Sequence, residues 1–242
     1  MVGVDAVSTH EVLPGLYRFA FPLGQAYLWC GPGALALIDA GPPGSGAALA
    51  EGIASLGRRP EEVRHLVLTH HHKDHAGSAA EIAAWGEVSV AAHRLDAPVI
   101  RHAVPAPEPE LSDAPVWERE LFARTPSMFA GPACRVDREL EDGDVLDFAG
   151  GARVVATPGH TAGSIAVHLP ALRVLFTGDT AANPAGAAPM FGVFHRERRR
   201  AFAALRRLAG LDVDTACFGH GEPVVGGAGA ALRAAAAAGL AE

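Results

Sequence analysis

The sequence, of 242 residues, predicts a layered α/β fold. Short apolar runs recur along the chain, and most are bounded by Gly, Pro or Asp, which is typical of β-strands. Segments with apolar residues at helical spacing lie between several of these runs. A chain of this length can bury most of its apolar surface, so the strands and helices are expected to share a sizeable core.

Ten apolar runs are predicted as strands and four segments as helices. The predicted strands are 16–21, 26–30, 34–38, 65–69, 88–92, 145–148, 153–157, 164–169, 174–177 and 215–218. The predicted helices are 46–56, 78–85, 196–208 and 228–238. The third helix carries Phe202, Leu205 and Leu208 at helical spacing. The fourth is Ala-rich and is interrupted by Arg233, so it is predicted as a closing helix and not as a membrane span.

The succession of strands stops between residues 94 and 137, where seven prolines occur. Trp117, Leu121 and Phe122 predict one amphipathic helix inside this segment. A segment of this length without strands is typical of an inserted lid or a substrate-facing subdomain. A helical crossover with a surface loop is the alternative. We therefore predict one domain over residues 1–242 with a lid insertion at about 94–137.

Composition and charge exclude several classes of protein. Lys and Arg number 20 against 27 Asp and Glu, and the net charge of −7 argues against a general nucleic-acid binder. Hydrophobic residues at 49% with 19% charged residues exclude a disordered or collagen-like chain. Cys30, Cys134 and Cys217 form no CxxC pair, and the N-terminus lacks the features of a signal peptide. A cytoplasmic protein with no membrane partner is expected.

Histidines are concentrated in one motif, Thr-His-His-His-Lys-Asp-His-Ala-Gly at 69–77, directly after the apolar run 66–68. Alternate side chains of an extended turn point the same way. His70 and His72 are therefore expected to converge on one cation, while Asp74 and His75 turn toward a second. A solvated, His-rich surface loop is the alternative.

Three later loops each place one potential ligand just after an apolar strand. They carry His160, Asp179 and His220. The carboxyl ends of strands are where such folds gather their functional loops. Imidazole and carboxylate are ligands that suit divalent zinc, iron or manganese.

The HxHxDH motif followed by His, Asp and His in this order resembles the metallo-β-lactamase superfamily of metal-dependent hydrolases. The resemblance extends from Asp39 to His220 and implies an αββα sandwich, in which two sheets are flanked by helices and two metals lie at one edge. It implies that the first metal is bound by His70, His72 and His160, the second by Asp74, His75 and His220, and that Asp179 bridges them. Asp39 would support the His motif without binding metal.

The resemblance also implies the chemistry. Two cations, with zinc expected and iron or manganese as alternatives, would share a water and lower its pKa toward neutrality. The resulting hydroxide would cleave an ester, thioester or lactone carbonyl of a small-molecule substrate, with Asp74 orienting it. His93 and His195 are candidate substrate contacts or proton donors, with helix capping or a buried hydrogen bond as the alternative for each. Dimerisation, common in the family, is left open.

Several residues narrow the choice within the family. Asp179 argues against antibiotic hydrolysis, since the β-lactamases themselves generally have Cys or Ser near that position. The spacing THHHxDHAG is similar to that of hydroxyacylglutathione hydrolase, but that enzyme has a helical carboxyl-terminal domain, and only 22 residues follow His220 here. Some lactonases use a Tyr after the bridging Asp, whereas Tyr17 and Tyr27 both lie early. Apolar residues in the loop 181–194 would favour a small acyl group.

Two other activities stay open on the same fold. Persulfide dioxygenases hold a single iron with two His and one Asp, which here match His70, His160 and Asp179. Nucleases and phosphodiesterases also use the fold, and the Arg-rich segment 196–207 could contact phosphates, although its helical spacing predicts a solvated outer face. A non-enzymatic scaffold is the least expected class, because all seven ligands are present.

Overall fold

The computed structural model describes residues 7–109, 111–125, 131–184 and 188–239. The chain divides into two compact units, each with its own sheet and helices. The first unit comprises Met1–Ala106 and Phe129–Leu140, and the second comprises Pro107–Met128 and Glu141–Glu242.

The first unit is built on a seven-stranded sheet whose strands follow one another in chain order. The strands are β1 (Ser8–Leu13), β2 (Leu16–Ala20), β3 (Gln25–Cys30), β4 (Leu35–Ile38), β5 (Val63–Leu68), β6 (Ser89–His93) and β7 (Arg138–Leu140). The first four pair antiparallel and the last four pair parallel. Parallel neighbours need crossover connections. These contain α1 (Gly46–Ser55), α2 (Lys73–Ala76), α3 (Ala79–Ala83) and α4 (Ala97–Ile100).

The core of this unit lies between the sheet and its helices. Leu37 and Leu66 of the sheet pack with Leu49 and Ile53 of α1 and with Ile82 of α3, and all five side chains are fully buried. Every residue of β4 is buried, as expected for a strand covered on both faces. The rigid centre of the sheet therefore ends directly at the loops that follow β4 and β5.

The second unit contains a six-stranded sheet in the order β15-β14-β11-β10-β9-β8 and a small pair, β12 with β13. The strands are β8 (Val145–Leu146), β9 (Ala152–Ala156), β10 (Ile165–Leu169), β11 (Val174–Phe176), β12 (Ala181–Ala182), β13 (Met190–Phe191), β14 (Thr215–Cys217) and β15 (Val224–Val225). The helices are α5 (Val116–Arg124), α6 (Arg198–Leu208) and α7 (Ala228–Ala237). Only β11 and β14 pair parallel among the described strands of this sheet, and α6 lies in the crossover between them. Leu205, Leu208 and Leu232 of the helices pack with Leu175 and Phe218.

The predicted α/β class is confirmed, and all ten predicted strands and four predicted helices are present with shifted ends. A helix is present in the insertion as predicted, α5, but its expected apolar face is not buried: Trp117 and Leu121 are each 46% exposed, and the buried side chain of the helix is Glu118. Strand β1 was not predicted because it is largely exposed and lacks an apolar run. Residues 110 and 126–130 of the predicted lid, and 185–187 of the predicted apolar loop 181–194, lie outside the described residues. No helix in the described part of the chain is long and apolar enough to cross a membrane.

Candidate metal centre

The His motif of the first unit forms a buried cluster at the end of β5. His70, His72, Asp74 and His75 are all less than a tenth exposed. The ring of His70 lies 4.7 Å from that of His72 and 4.2 Å from that of His75. The Nε2 atom of His75 lies 3.3 Å from an oxygen of Asp74.

The extended turn predicted for the His motif is present only in its first part. His72 has extended backbone, with φ −62° and ψ 146°, but α2 begins at the next residue. Asp74 and His75 therefore lie on a helical turn and not on alternating extended residues. A Cβ on Gly77 would lie 2.1 Å from the carbonyl of Lys73, so a residue without a side chain is needed where this turn packs.

Asp39, which follows β4, holds the His motif through three hydrogen bonds. One carboxylate oxygen accepts from the backbone N–H of Thr69 at 2.7 Å. The other accepts from the Thr69 hydroxyl at 2.8 Å and lies 2.9 Å from Nδ1 of His75. Asp39 has φ 63°, a left-handed conformation that Asp tolerates better than most residues. Burial raises the pKa of the Asp39 carboxyl, while His75 and Thr69 act in the opposite direction.

These contacts set the tautomers of two histidines. The Thr69 hydroxyl has one proton, which it donates to Asp39, so it accepts from Nδ1 of His70 at 3.0 Å. Nδ1 of His75 likewise donates to Asp39. Both imidazoles thus carry their proton on Nδ1 when neutral, and their Nε2 lone pairs are the ones suited to a cation. The donor chemistry of this cluster fits a divalent metal.

His71 is held by a second buried carboxylate. Oδ2 of Asp96 accepts the backbone N–H of His71 at 2.9 Å and lies 3.0 Å from its Nδ1. Asp96 immediately precedes α4, a position typical of an N-cap, yet its side chain makes no capping bond. Sequence reasoning did not single out Asp96, because the local pattern indicates a cap and the contact with His71 is 25 residues away in the chain.

The second unit gathers His160, Asp179 and His220 at the ends of β9, β11 and β14. Asp179 lies in a single 3-10 turn, Gly178–Thr180. One of its oxygens lies 3.5 Å from Nε2 of His160 and 3.2 Å from Nε2 of His220. A single carboxylate oxygen thus faces two imidazole nitrogens. Within each unit, the described His and Asp side chains that are candidate metal ligands are those that the sequence predicts.

Residues 190–201, here called the backing segment, hydrogen-bond to the loops of His160 and Asp179. The backbone N–H of Glu197 donates to the carbonyl of Gly159 at 2.8 Å. The N–H of Gly192 donates to the carbonyl of Thr180 at 3.2 Å. Gly159 has φ 134°, and a Cβ there would lie 2.2 Å from the backbone nitrogen of Ala201. The backing segment is therefore in direct backbone contact with the loops that carry His160 and Asp179.

His195, a predicted substrate contact, is a fully buried part of this backing segment. Its ring stacks on Phe191 at 4.2 Å and meets the ring of His160 edge-on at 5.3 Å. Burial lowers the pKa of His195 well below its ordinary value, and His160 and Arg198 act in the same direction. His93, the other predicted contact, is buried, and its Nδ1 accepts the N–H of Leu95 at 3.2 Å. Substrate contact stays a prediction for both.

Three arginines of the predicted Arg-rich segment pair with carboxylates. Arg198 pairs with buried Glu118 at 2.5 Å, Arg200 with Glu197 at 3.1 Å, and Arg207 with Asp142 at 2.8 Å. These carboxylates compete with phosphate for the same guanidinium groups. Phosphate binding by the segment stays a prediction.

The comparisons with known proteins agree with this chemistry. A family model described as the metallo-beta-lactamase superfamily matches residues 21–220. The chain is 28% identical over 245 residues to the probable metallo-hydrolase YqjP of Bacillus subtilis strain 168, covering 90% of this chain and 74% of that protein. It is 30% identical over 168 residues to the hydroxyacylglutathione hydrolase of Rhizobium meliloti strain 1021, covering 69% of this chain. It spans about half the length of that relative, 51%.

A solved structure shows the fold. The metallo-beta-lactamase family protein of Thermus thermophilus matches with a TM-score of 0.67 at 28% identity, over 94% of this chain and 79% of that chain. The predicted fold class, an α/β metallo-β-lactamase fold, is therefore confirmed.

Proposed function

Because the chain belongs to the metallo-beta-lactamase superfamily and is a hydrolase of that family, we propose that it uses two divalent metal ions to hydrolyse an ester, thioester or lactone in a small molecule. The observation that carries this proposal is the set of buried His and Asp ligands in each unit, with the tautomers of His70 and His75 fixed for metal binding. Zinc is the proposed metal, with iron and manganese as alternatives for the same ligands.

Seven side chains would hold the two ions. The first ion would be bound by His70, His72 and His160, the second by Asp74, His75 and His220, and Asp179 would bridge them. When bound, such a pair of cations supplies a hydroxide at neutral pH and draws electron density from a carbonyl oxygen. The position of one Asp179 oxygen near Nε2 of both His160 and His220 supports its role as the shared ligand.

Asp74 and Asp39 have separate roles in the proposed reaction. Asp74 is buried, and one of its oxygens lies 3.3 Å from Nε2 of His75. We assign it the orientation of the attacking water and the acceptance of its proton. Asp39 keeps Nδ1 of His75 protonated, so Nε2 stays available as a ligand throughout turnover. Burial of these groups strengthens each electrostatic contact, because bulk water is excluded.

Thioesters are the first substrates to test, because several relatives are named hydroxyacylglutathione hydrolase. The apolar residues of the loop 181–194 favour a small acyl group. Met190 in this loop is 37% exposed and can contact such a group, whereas Phe191 is buried against His195.

The proposal is tested by metal analysis combined with a substrate panel of aryl esters, thioesters, lactones and phosphodiesters. We expect about two zinc ions per chain and turnover of carbonyl substrates. Asp179→Ala should lower the bound zinc and reduce kcat/KM by about 100-fold or more. Asp212→Ala is the matched control, since Asp212 belongs to the same unit and is an exposed partner of Arg173; it should keep wild-type values.

Three results would contradict the proposal. Turnover of phosphodiesters alone would favour a nuclease or phosphodiesterase. One iron per chain with oxygen uptake on a persulfide would favour a dioxygenase. Wild-type activity in Asp179→Ala would refute the two-metal mechanism.

A further inference from the structure

A buried ion pair ties α5 to the backing segment. Glu118 of α5 is fully buried, and its Oε2 accepts from Nη1 of Arg198 at 2.5 Å. Its Oε1 accepts the backbone N–H of Phe194 at 2.6 Å. One turn later on α5, Phe122 packs edge-on against the ring of Phe194 at 5.2 Å. The carboxylate thus holds two points of the backing segment at once.

The backbone conformation of Phe194 indicates that the contacts from α5 are needed. Its φ is 60°, in the left-handed region that a bulky residue rarely adopts. A backbone conformation of this kind persists where the surroundings fix it. The N–H bond to Glu118 and the ring contact with Phe122 are such constraints.

A shift of the backing segment would be transmitted to two predicted ligand loops. Glu197 donates its N–H to the carbonyl next to His160, and Gly192 donates to the carbonyl next to Asp179. A Cβ on Gly192 would lie 2.0 Å from the carbonyl oxygen of Asp179, so the two backbones are in contact without free space. Close-packed contacts transmit a displacement instead of absorbing it.

We propose that Glu118 is a positioning residue that fixes His160 and Asp179 through the backing segment and thereby raises the affinity of the chain for its cations. This inference rests on the proposed function, which assigns His160 and Asp179 as ligands. It gives the insertion helix α5 a role in the metal centre in addition to any role as a lid.

The expected effect is set by how far Glu118 lies from the ligands. Loss of a group that directly orients a metal ligand lowers metal affinity by about 10- to 100-fold. Glu118 contacts the proposed ligands only through the backing segment, so Glu118→Gln should weaken zinc binding by about 10-fold, at the lower end of this range. Glutamine offers one acceptor oxygen to two donors, so either Phe194 or Arg198 loses its bond.

The test compares three variants of the full chain with the wild type. Glu118→Gln leaves the Arg198 charge buried without its carboxylate, so it also reduces stability. The double variant Glu118→Leu with Arg198→Met removes both buried charges and restores stability, but not the acceptor for Phe194. Leu169→Ala truncates a fully buried β10 side chain of the same unit that lies outside the hydrophobic cluster containing Phe191 and Ala201, so it reduces stability at a distance from the backing segment.

Two quantities are measured for each variant: the zinc dissociation constant by chelator competition, and amide hydrogen exchange of residues 192–197 in the metal-free chain. We expect weaker zinc binding and faster exchange in Glu118→Gln and in the double variant, and wild-type values in Leu169→Ala. The inference would be overturned by unchanged values in Glu118→Gln, by a return to wild-type values in the double variant, or by an equal effect in Leu169→Ala. A wild-type chain that binds none of zinc, iron and manganese would refute the proposed function, and the exchange comparison would then decide the positioning role by itself.

Discussion

Replacement of Asp39 by Asn should change the protonation of His75, a proposed metal ligand, while leaving the shape of the site intact. In the wild type, one oxygen of Asp39 accepts from both Nδ1 of His75 and the Thr69 hydroxyl, at 2.9 and 2.8 Å. If the remaining oxygen of Asn keeps the bond to the Thr69 N–H, its amide NH₂ faces these two donors. His75 can then avoid opposing N–H groups only by moving its proton to Nε2, the atom needed for the metal.

The magnitude follows from the bonds lost. Two hydrogen bonds to a charged group are lost, at about 1.5–3 kcal/mol each, and a neutral bond from the Asn amide to Nδ1 of His75 recovers about 1 kcal/mol. The free energy of unfolding of the metal-free chain should therefore fall by about 2–5 kcal/mol. Loss of the group that orients a metal-binding histidine lowers metal affinity by about 10- to 100-fold. This range corresponds to about 1.4–2.8 kcal/mol of binding free energy.

The assay is zinc affinity by chelator competition, together with ¹⁵N NMR of the imidazole nitrogens to assign the tautomer. Asp137→Asn is the control, because Asp137 belongs to the same unit and its carboxylate also accepts a backbone N–H, from Val90 at 2.9 Å. It should bind zinc as the wild type does. Wild-type zinc affinity in Asp39→Asn, or an unchanged His75 tautomer despite weaker binding, would refute the reasoning.

The remaining predictions concern stability, pH and thiol reactivity. Gly159→Ala should lower the free energy of unfolding, measured by urea denaturation, by about 2–4 kcal/mol, because φ is 134° and a Cβ would lie 2.2 Å from the α6 backbone. Gly33→Ala is the control: a Cβ there meets nothing within 4 Å, so its free energy of unfolding should stay within about 0.5 kcal/mol of the wild-type value. Burial holds the pKa of His168 below its ordinary value of 6.5, so its contribution to stability is complete above pH 6.5 and is lost as the pH falls below it. His168→Gln should therefore reduce the loss of stability between about pH 7 and 5, unlike the exposed control His10→Gln; equal slopes would contradict this. Burial raises the pKa of the Cys134 thiol to about 11, so at pH 8 iodoacetamide should modify it only after unfolding, and modification of the native chain, detected by mass spectrometry, would contradict this.

Much of the fold could be predicted from local pattern. Strands β4 and β11 are continuous apolar runs, and β5 and β10 are apolar except for Arg64, His65 and His168, so all four strands can be recognised from local sequence. Strand β1 could not be found in this way, because an exposed edge strand needs no apolar run. The helical turn α2 was also missed, since four residues are too few to establish a helical period.

The candidate ligands could be named from the sequence because metal binding constrains residue type and order: His70 to His75 in one motif, then His160, Asp179 and His220. The groups that hold them could not be named. Asp96 has the local pattern of a helix cap, and Glu118 lies in a helix whose pattern gives no reason to expect its burial. Each is identified only by a partner far away in the chain, at separations of 25 and 76 residues.

The sequence by itself determined the family, the α/β class and the chemistry of the candidate ligands, since these depend on residue type, spacing and order. Only the tertiary structure decided which nitrogen of His70 and His75 carries the proton, and which buried carboxylates hold the ligand loops. The physical reason is that a tautomer and a buried charge are set by the atoms within about 3 Å. In a folded chain those atoms come from residues that no local pattern connects.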